Sequence, residues 1–246
     1  MNSFLAEIEP PWALTGVGAN QLIGVLFVLG LAWGFVADRI GARWPAHEDG
    51  SRRPLGWRTV VTMALGGLAL ALLAVPAGGT TFDATATLRF RPAATAFIGL
   101  YVLALIVLLA TDLDQRLLPD VLTLPMIPYA LIGAWLGISP YVSFQSGFVL
   151  DLAAAIGLPL GLFLLSIPFG RGAIGIGDLK LLVSVGFLAG AERAVIGLIF
   201  GAILSAVVIL VLLVGRRITL KSYIPYGPFL IIGVLWALLG PLGGRG

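Results

Sequence analysis

The 246-residue sequence contains no cysteine, a single histidine and few charged residues. Without cysteine the chain has no disulfide, no thiolate zinc site and no cysteine nucleophile. The only histidine is His47, so the chain lacks the pair of histidines that binds zinc on one helix in many metalloproteases. A Ser–His catalytic pair within the membrane is not expected either. These absences exclude two common routes to hydrolysis inside a bilayer.

Charge is scarce relative to apolar surface. Charged residues make up 11% of the sequence and apolar residues 59%, whereas soluble domains average roughly 25% charged residues. A water-soluble domain of this length could not cover its surface with so few charges. The composition therefore predicts an all-α, polytopic protein whose surroundings are the lipid bilayer.

Uncharged stretches mark the expected membrane spans. Most of them reach the roughly 20 residues that a helix needs to cross the hydrocarbon. The sixth is shorter and follows a glycine-rich turn at 175–177. We therefore predict about eight transmembrane helices. The stretches are 10–37, 59–82, 92–111, 121–150, 152–170, 181–191, 194–215 and 222–244.

The distribution of basic residues predicts the orientation. Five arginines follow the first stretch, and Lys and Arg are enriched in cytoplasmic loops, so we expect this loop inside and the amino terminus outside. Alternating eight spans from there places eleven of the 15 Lys and Arg residues inside and four outside. No basic residue precedes the first stretch, so no cleavable signal peptide is expected.

Two aspartates at the ends of uncharged stretches are the candidate functional acids. Asp112 ends the third stretch and Asp178 precedes the sixth, and the orientation places both near the cytoplasmic face. Acidic side chains at membrane depth are costly and are therefore functional candidates. Each also has a structural explanation: Asp178 could cap its helix, and Asp112 could lie with Asp114 in the headgroup layer, paired with Arg116.

Asp120 is expected to have a structural role. It follows Pro119 and precedes an apolar run, so it is predicted to be the N-cap of the fourth helix. Because Asn caps a helix about as well as Asp, Asp120→Asn is expected to be mild.

Three short motifs together resemble the prepilin peptidase family, which are aspartic membrane proteases with a presenilin-like Gly-x-Gly-Asp motif. The first motif is an Asp followed seven residues later by Pro, the second is Gly-x-Gly-Asp-x-Lys-Leu, and the third is a Pro-Tyr-Gly-Pro turn that opens the last span. The resemblance covers roughly 93–239. The matching residues are Asp112, Pro119, Gly175, Gly177, Asp178, Lys180, Leu181, Pro225, Tyr226, Gly227 and Pro228.

The resemblance implies an intramembrane aspartic endopeptidase. Its partners would be type IV prepilin or pseudopilin precursors, whose basic leaders it removes at the cytoplasmic face of the plasma (inner) membrane, and no nucleic acid is implied. Asp112 and Asp178 would be the catalytic pair, sharing one proton and activating a water without a metal. Supporting or substrate-proximal positions would be Gly175, Gly177, Lys180, Asp114, Pro119, Pro225 and Gly227.

Some of these supporting residues also have expected local roles. Gly175 and Gly177 would allow the backbone to turn with unrestricted φ and a substrate strand to approach, or they would form a tight interhelical turn. Lys180 is expected near the acid pair or at the headgroups. Asp114 is expected to be solvated near Arg116.

The region after the first span departs from the family pattern. Bifunctional members carry two Cys-x-x-Cys pairs in a cytoplasmic domain there, associated with methylation of the new amino terminus, whereas this chain has about twenty residues between Asp38 and Thr59 and no cysteine. We therefore expect no zinc and no cofactor, with S-adenosylmethionine-dependent methylation as the open alternative. We divide the chain into 1–57, the first span and a short loop, and 58–246, the peptidase domain.

Other functions use the same residues differently. In an ion- or proton-coupled transporter, Asp112 and Asp178 would form the ion site, because intramembrane acids and broken helices are also typical of transporters. Such transporters often contain two related halves, and the sequence contains no second copy of either Asp motif. A third alternative is a scaffold derived from a peptidase, against which the two intact aspartates argue.

Overall fold

The computed structural model describes residues 16–44, 53–74, 92–142, 148–169, 174–217 and 226–240. These residues form α-helices and one 3-10 turn, and no strand occurs among them, so the all-α prediction is confirmed. The helices are α1 Gly16–Gly41, α2 Trp57–Leu72, α3 Pro92–Gln115, α4 Asp120–Trp135, α5 Phe148–Ser166, α6 Ile176–Val214 and α7 Gly227–Leu239, with the 3-10 turn at Ile167–Phe169.

Several helices are suited to a bilayer. Within the described part of the chain, four segments are long and apolar enough to cross it, and α2, α4 and α7 are shorter apolar helices. The chain is therefore a multi-pass membrane protein, while the number of about eight spans stays a prediction. The four segments are Gln21–Gly41, Ala93–Gln115, Phe148–Ser166 and Ile176–Val214.

α3 is the central helix of the bundle. Ile98, Val102, Leu105 and Leu109 have no exposed surface, and α3 contacts α1, α2, α4 and α7. α3 is therefore largely enclosed by these helices, although Leu100 is 59% exposed. Asp112, in the last turn of α3, lies on the buried part of the helix.

α1 and α2 cross at glycines. A Cβ atom on Gly30 or Gly34 would collide with the backbone of α2, and one on Gly66 would collide with the backbone of α1. Small residues allow such close backbone approach between membrane helices, where packing rather than the hydrophobic effect holds helices together. The first two helices therefore form one closely packed pair.

The chain reverses direction inside α6. Gly190 has φ 76° and ψ 173°, a left-handed region that favours glycine. Beyond it, Gly197 packs on Gly233 and Gly201 packs on Phe229, so residues 191–214 run antiparallel to α7. α6 therefore consists of a shorter helix, 176–189, and a returning helix, 191–214, which meet near the predicted boundary between the sixth and seventh spans.

Polar contacts hold the reversal at one end of the bundle. Asp151 Oδ1 accepts a hydrogen bond of 2.9 Å from the Ala191 N–H. Arg193 Nη1 donates a bond of 2.7 Å to the carbonyl of Ala237, and its guanidinium lies 4.3 Å from the ring centroid of Tyr141. The start of α5, the Gly190 turn and the end of α7 therefore lie together, opposite the end that carries the motif aspartates.

Candidate active site

Asp112 lies in the last turn of α3 and is 5% exposed. Its Oδ2 atom is buried and has no hydrogen-bond partner in the structure. The start of α7 lies against it, because a Cβ atom placed on Gly227 would be 2.5 Å from Asp112 Oδ2. A buried carboxylate oxygen without a partner is uncommon in folded proteins.

Asp178 lies in the first turn of α6 and is 9% exposed. The N-cap of this helix is Gly175, with φ −67° and ψ 139°, so the alternative in which Asp178 is the cap is wrong. The carboxylate of Asp178 instead accepts a hydrogen bond from the Gly175 N–H. This reach-back contact resembles half of a capping box, and it orients the carboxylate from within its own helix.

The two aspartates share one environment. Asp112 lies against Gly227 at the start of α7, and Gly177, the neighbour of Asp178, lies against Leu118 in the loop that follows α3. The ends of α3, α6 and α7 therefore meet at one place. Among the residues that the structure describes, no group of three His, Cys, Asp or Glu side chains could hold a metal ion. The catalytic role of the pair stays a prediction.

Gly175 and Gly177 do not adopt a backbone conformation that favours glycine. Gly175 has a negative φ and Gly177 lies within a regular helix, so the expectation of unrestricted φ is wrong. A Cβ atom on Gly177 would be 2.7 Å from Leu118 Cβ and 3.1 Å from the Leu118 carbonyl oxygen. Gly177 is therefore required by the close contact between α6 and the loop that follows α3, whereas the alternative expectation was a tight interhelical turn.

Pro119, Asp120 and Lys180 meet at the start of α4, and the cap role predicted for Asp120 is wrong. Pro119 is the N-cap of α4, so Asp120 is the first residue of that helix and not its cap. Its Oδ1 atom accepts a bond of 2.7 Å from Lys180 Nζ. Of the two locations expected for Lys180, this contact favours the one near the acid pair, because Asp120 directly follows the first Asp motif. Pro225 lies outside the described residues.

Asp114 is buried and ion-paired. Its side chain is 2% exposed and lies 2.6 Å from Arg53 Nε and 2.9 Å from Arg58 Nη1. The expectation of a solvated side chain is therefore wrong, because two arginines from the segment around the start of α2 fold back onto the end of α3.

One buried acid was missed in the sequence. Asp38 has no exposed surface, forms ion pairs with Arg39 and Arg53, and accepts a bond of 2.8 Å from Thr59 Oγ1. Arg53 therefore joins α1 to α3 through Asp38 and Asp114. The sequence contains a signal for this buried acid, because apolar residues continue past Asp38 to Ile40. The prediction missed it because the uncharged stretch was ended at residue 37, which placed Asp38 in the following loop.

The model of the type IV leader peptidase family matches residues 92–212, which include both Asp112 and Asp178. The chain belongs to this family. The match begins at the start of α3, so it contains the central helix, the loop at Leu118 and both halves of α6. No solved structure matches the chain.

Three relatives carry the name prepilin leader peptidase/N-methyltransferase. The protein of Burkholderia pseudomallei strain 1026b is 32% identical to this chain over 186 residues. The matched region covers 74% of this chain and 54% of the relative. That of Pseudomonas putida is 30% identical over 54% of this chain and 47% of the relative, and that of Pseudomonas aeruginosa is 29% identical over 52% and 43%. The chain thus spans about half the length of the curated relatives it matches.

Proposed function

We propose that this chain is an intramembrane aspartic endopeptidase that removes leader peptides from type IV prepilin-like precursors. The observation that carries the proposal is the convergence of Asp112 and Asp178, from two separate motifs, in a buried place that leaves Asp112 Oδ2 without a partner. Membership of the family and the names of the relatives support the reaction and the substrate class.

In the proposed mechanism the pair works with one shared proton, because two neighbouring carboxylates do not readily ionise together. The ionised carboxylate takes a proton from a water molecule as that water attacks the scissile carbonyl carbon. The protonated carboxyl donates its proton to the carbonyl oxygen. The other carboxyl then gives the proton that it took from water to the leaving amine as the C–N bond breaks. One water is consumed and a new carboxyl and a new amine are formed. The two acids titrate as a unit, so neither is assigned as the base.

We place the site at the cytoplasmic face, with the amino terminus outside. The support is electrostatic: Arg39, Arg53 and Arg58 lie at the same end of the bundle as Asp114, two residues from Asp112, and basic residues favour the cytoplasmic side. A precursor would then present its scissile bond at the inner surface while its apolar part stays in the bilayer.

The proposal covers leader removal and not methylation. The relatives' names include an N-methyltransferase activity, but α1 and α2 are joined here by residues 42–56 alone, and these contain no cysteine. We therefore propose that the enzyme acts without a zinc-bearing domain.

The test is cleavage of a candidate prepilin co-expressed with the protein, followed as a shift on a gel. Asp112→Asn and Asp178→Asn should each lower cleavage at least about 100-fold, because an amide cannot exchange the proton that general acid–base catalysis requires. Asp151→Asn is the matched control, since an amide oxygen can still accept the bond from Ala191 N–H at the opposite end.

Preserved cleavage per folded molecule in either catalytic variant would refute the aspartic mechanism. Absence of cleavage by the unaltered protein, together with proton flux in vesicles that depends on Asp112, would favour the transporter instead.

A further inference from the structure

The segments that carry the two catalytic aspartates touch each other at a second place. Gly177 packs against Leu118 closely enough that a Cβ atom would collide with it. One turn further along α6, Lys180 Nζ lies 2.7 Å from Asp120 Oδ1 at the first residue of α4. Of the second motif, Gly177 thus contacts Leu118 within the first motif, and Lys180 contacts Asp120 directly after it.

We propose that Lys180 and Asp120 are positioning residues that hold Asp178 in register with Asp112. This inference rests on the proposed function, because it assigns the pair a role in the geometry of the same site. Neither residue is assigned to contact the substrate or to transfer a proton.

The helix geometry supports two separate tasks on α6. Residues two apart on a helix do not share a face, so Asp178 can face Asp112 while Lys180 faces the start of α4. Asp178 is 9% exposed, whereas the side chains of Lys180 and Asp120 are 25% and 60% exposed. The acid is therefore enclosed and the ion pair lies at the edge of the site.

The connection from Asp120 back to Asp112 is short and conformationally restricted. Arg116 has φ 57° and its N–H donates a bond of 2.9 Å to the Asp112 carbonyl, which ends α3. Pro119, with φ −63°, begins α4 by accepting a bond of 3.1 Å from the Thr123 N–H. Because proline fixes φ, a displacement of the start of α4 relative to α6 is transmitted through residues 116–119 to Asp112.

Because the Lys180–Asp120 ion pair is partly exposed, its loss should affect catalytic activity more than folding stability. Exposed ion pairs contribute little to folding stability, so loss of this one should leave the fold intact. Reaction rates depend more steeply on geometry, since a misplacement of about 1 Å can lower a rate on the order of 100-fold. Loss of the pair should therefore reduce turnover in a protein that remains folded.

The experiment is steady-state kinetics of prepilin cleavage by the purified full chain in detergent. The sequence-based expectation that Asp120→Asn is mild depended on Asp120 being an N-cap, and the N-cap is Pro119. Because Asp120 is instead paired with Lys180, Lys180→Met and Asp120→Asn should each lower kcat about 10-fold or more, in line with the effect of misplaced catalytic groups. KM should change less than about twofold, because the interaction removed is one that matters in the transition state. The double variant should lose no more than either single variant, and Lys180→Arg should retain most of the activity.

Arg217→Met is the matched control, because it removes an exposed cation beyond the end of α6 that returns to the same end of the bundle. It should leave kcat unchanged. The melting temperatures of all variants should agree, which separates a positioning role from a general loss of folding.

Three results would overturn the proposal. They are an unchanged kcat in both single variants, a rise in KM with unchanged kcat for Lys180→Met, which would mean substrate contact, and losses that multiply in the double variant. Failure of the proposed function is distinguishable, since Asp112→Asn would then cleave as well as the unaltered protein.

Discussion

Arg53→Met is expected to destabilise the folded protein by about 3 kcal/mol, the lower end of what breaking a buried ion pair costs. Arg53 lies between two enclosed carboxylates: it is ion-paired with Asp38, and its Nε lies 2.6 Å from Asp114 Oδ1. The side chains of these three residues are 14%, 0% and 2% exposed. Methionine retains much of the aliphatic arm, so the change removes mainly the charge and its hydrogen bonds.

The magnitude follows from the partners that remain. Removing one partner of a buried ion pair costs about 3–5 kcal/mol, because the other charge is left buried without compensation. Here Asp38 keeps Arg39 and Thr59, and Asp114 keeps Arg58. The remaining contacts offset part of the cost, which places the expected value at the lower end of that range.

The assay is thermal unfolding in detergent, followed by the fluorescence of the six tryptophans. For proteins of this size 1 kcal/mol corresponds to about 2–4 °C in Tm, so the expected decrease is about 6–12 °C. Arg217→Met, which removes an exposed arginine, is the control and should change Tm by less than about 2 °C, since surface substitutions stay within about 0.5 kcal/mol.

Two results would refute this reasoning. A decrease no larger than that of the control would mean that Arg53 does not compensate the buried carboxylates. A triple variant combines Arg53→Met with Asp38→Asn and Asp114→Asn, so the two buried carboxylates that have lost Arg53 no longer carry a charge. Part of the lost stability should therefore return. A further loss in the triple variant would contradict the electrostatic explanation.

Three other outcomes are expected. Gly227→Ala should lower cleavage at least about 100-fold, because the added methyl group would lie 2.5 Å from Asp112 Oδ2 and displace it; Gly157→Ala, where a Cβ meets no atom within 4 Å, should be neutral. EDTA should leave cleavage unchanged, since a carboxylate pair activates water by proton transfer, and a loss that zinc restores would contradict this. Mass spectrometry of pilin processed by this protein alone should show no added methylene on the new amino terminus, and its presence would demonstrate methylation.

The helical fold was predictable because the bilayer imposes a simple rule on sequence. A run of apolar residues without charge is forced to satisfy its backbone internally, and a helix is the local way to do so. The uncharged stretches therefore correspond to helices, although the stretch 121–150 contains both the end of α4 at Trp135 and the start of α5 at Phe148. That boundary has no charge to mark it, so composition alone could not locate it.

The acid pair was predictable to a different degree from its surroundings. Asp112 and Asp178 stand in motifs whose order and spacing are visible in the sequence. The partners of Asp114 and Asp120 are not, because Arg53 and Lys180 approach them only after the helices have packed. Local rules assigned Asp120 to a cap and Asp114 to solvent, and tertiary ion pairs overrode both assignments.

The three motifs lie at the same end of the bundle because the chain crosses the bundle and returns between one motif and the next. After Asp112, α4 leaves from the Asp120–Lys180 contact and reaches the far end, where the hydroxyl of Ser139 donates to the Leu188 carbonyl. α5 returns from Asp151, and the two halves of α6 repeat the excursion by reversing at Gly190.

Two helices, α4 and α5, connect Asp112 to Asp178, and the two halves of α6 connect Asp178 to Gly227. Because each connection crosses the bundle an even number of times, Asp178 and Gly227 lie at the same end as Asp112. Without the reversal at Gly190, residues 191–214 would continue away and α7 would begin at the opposite end. The reversal depends on the left-handed turn at Gly190 and on the hydrogen bond from Ala191 to Asp151, both at the far end of the bundle. Because of this reversal, Gly227 rather than lipid lies against the carboxylate of Asp112.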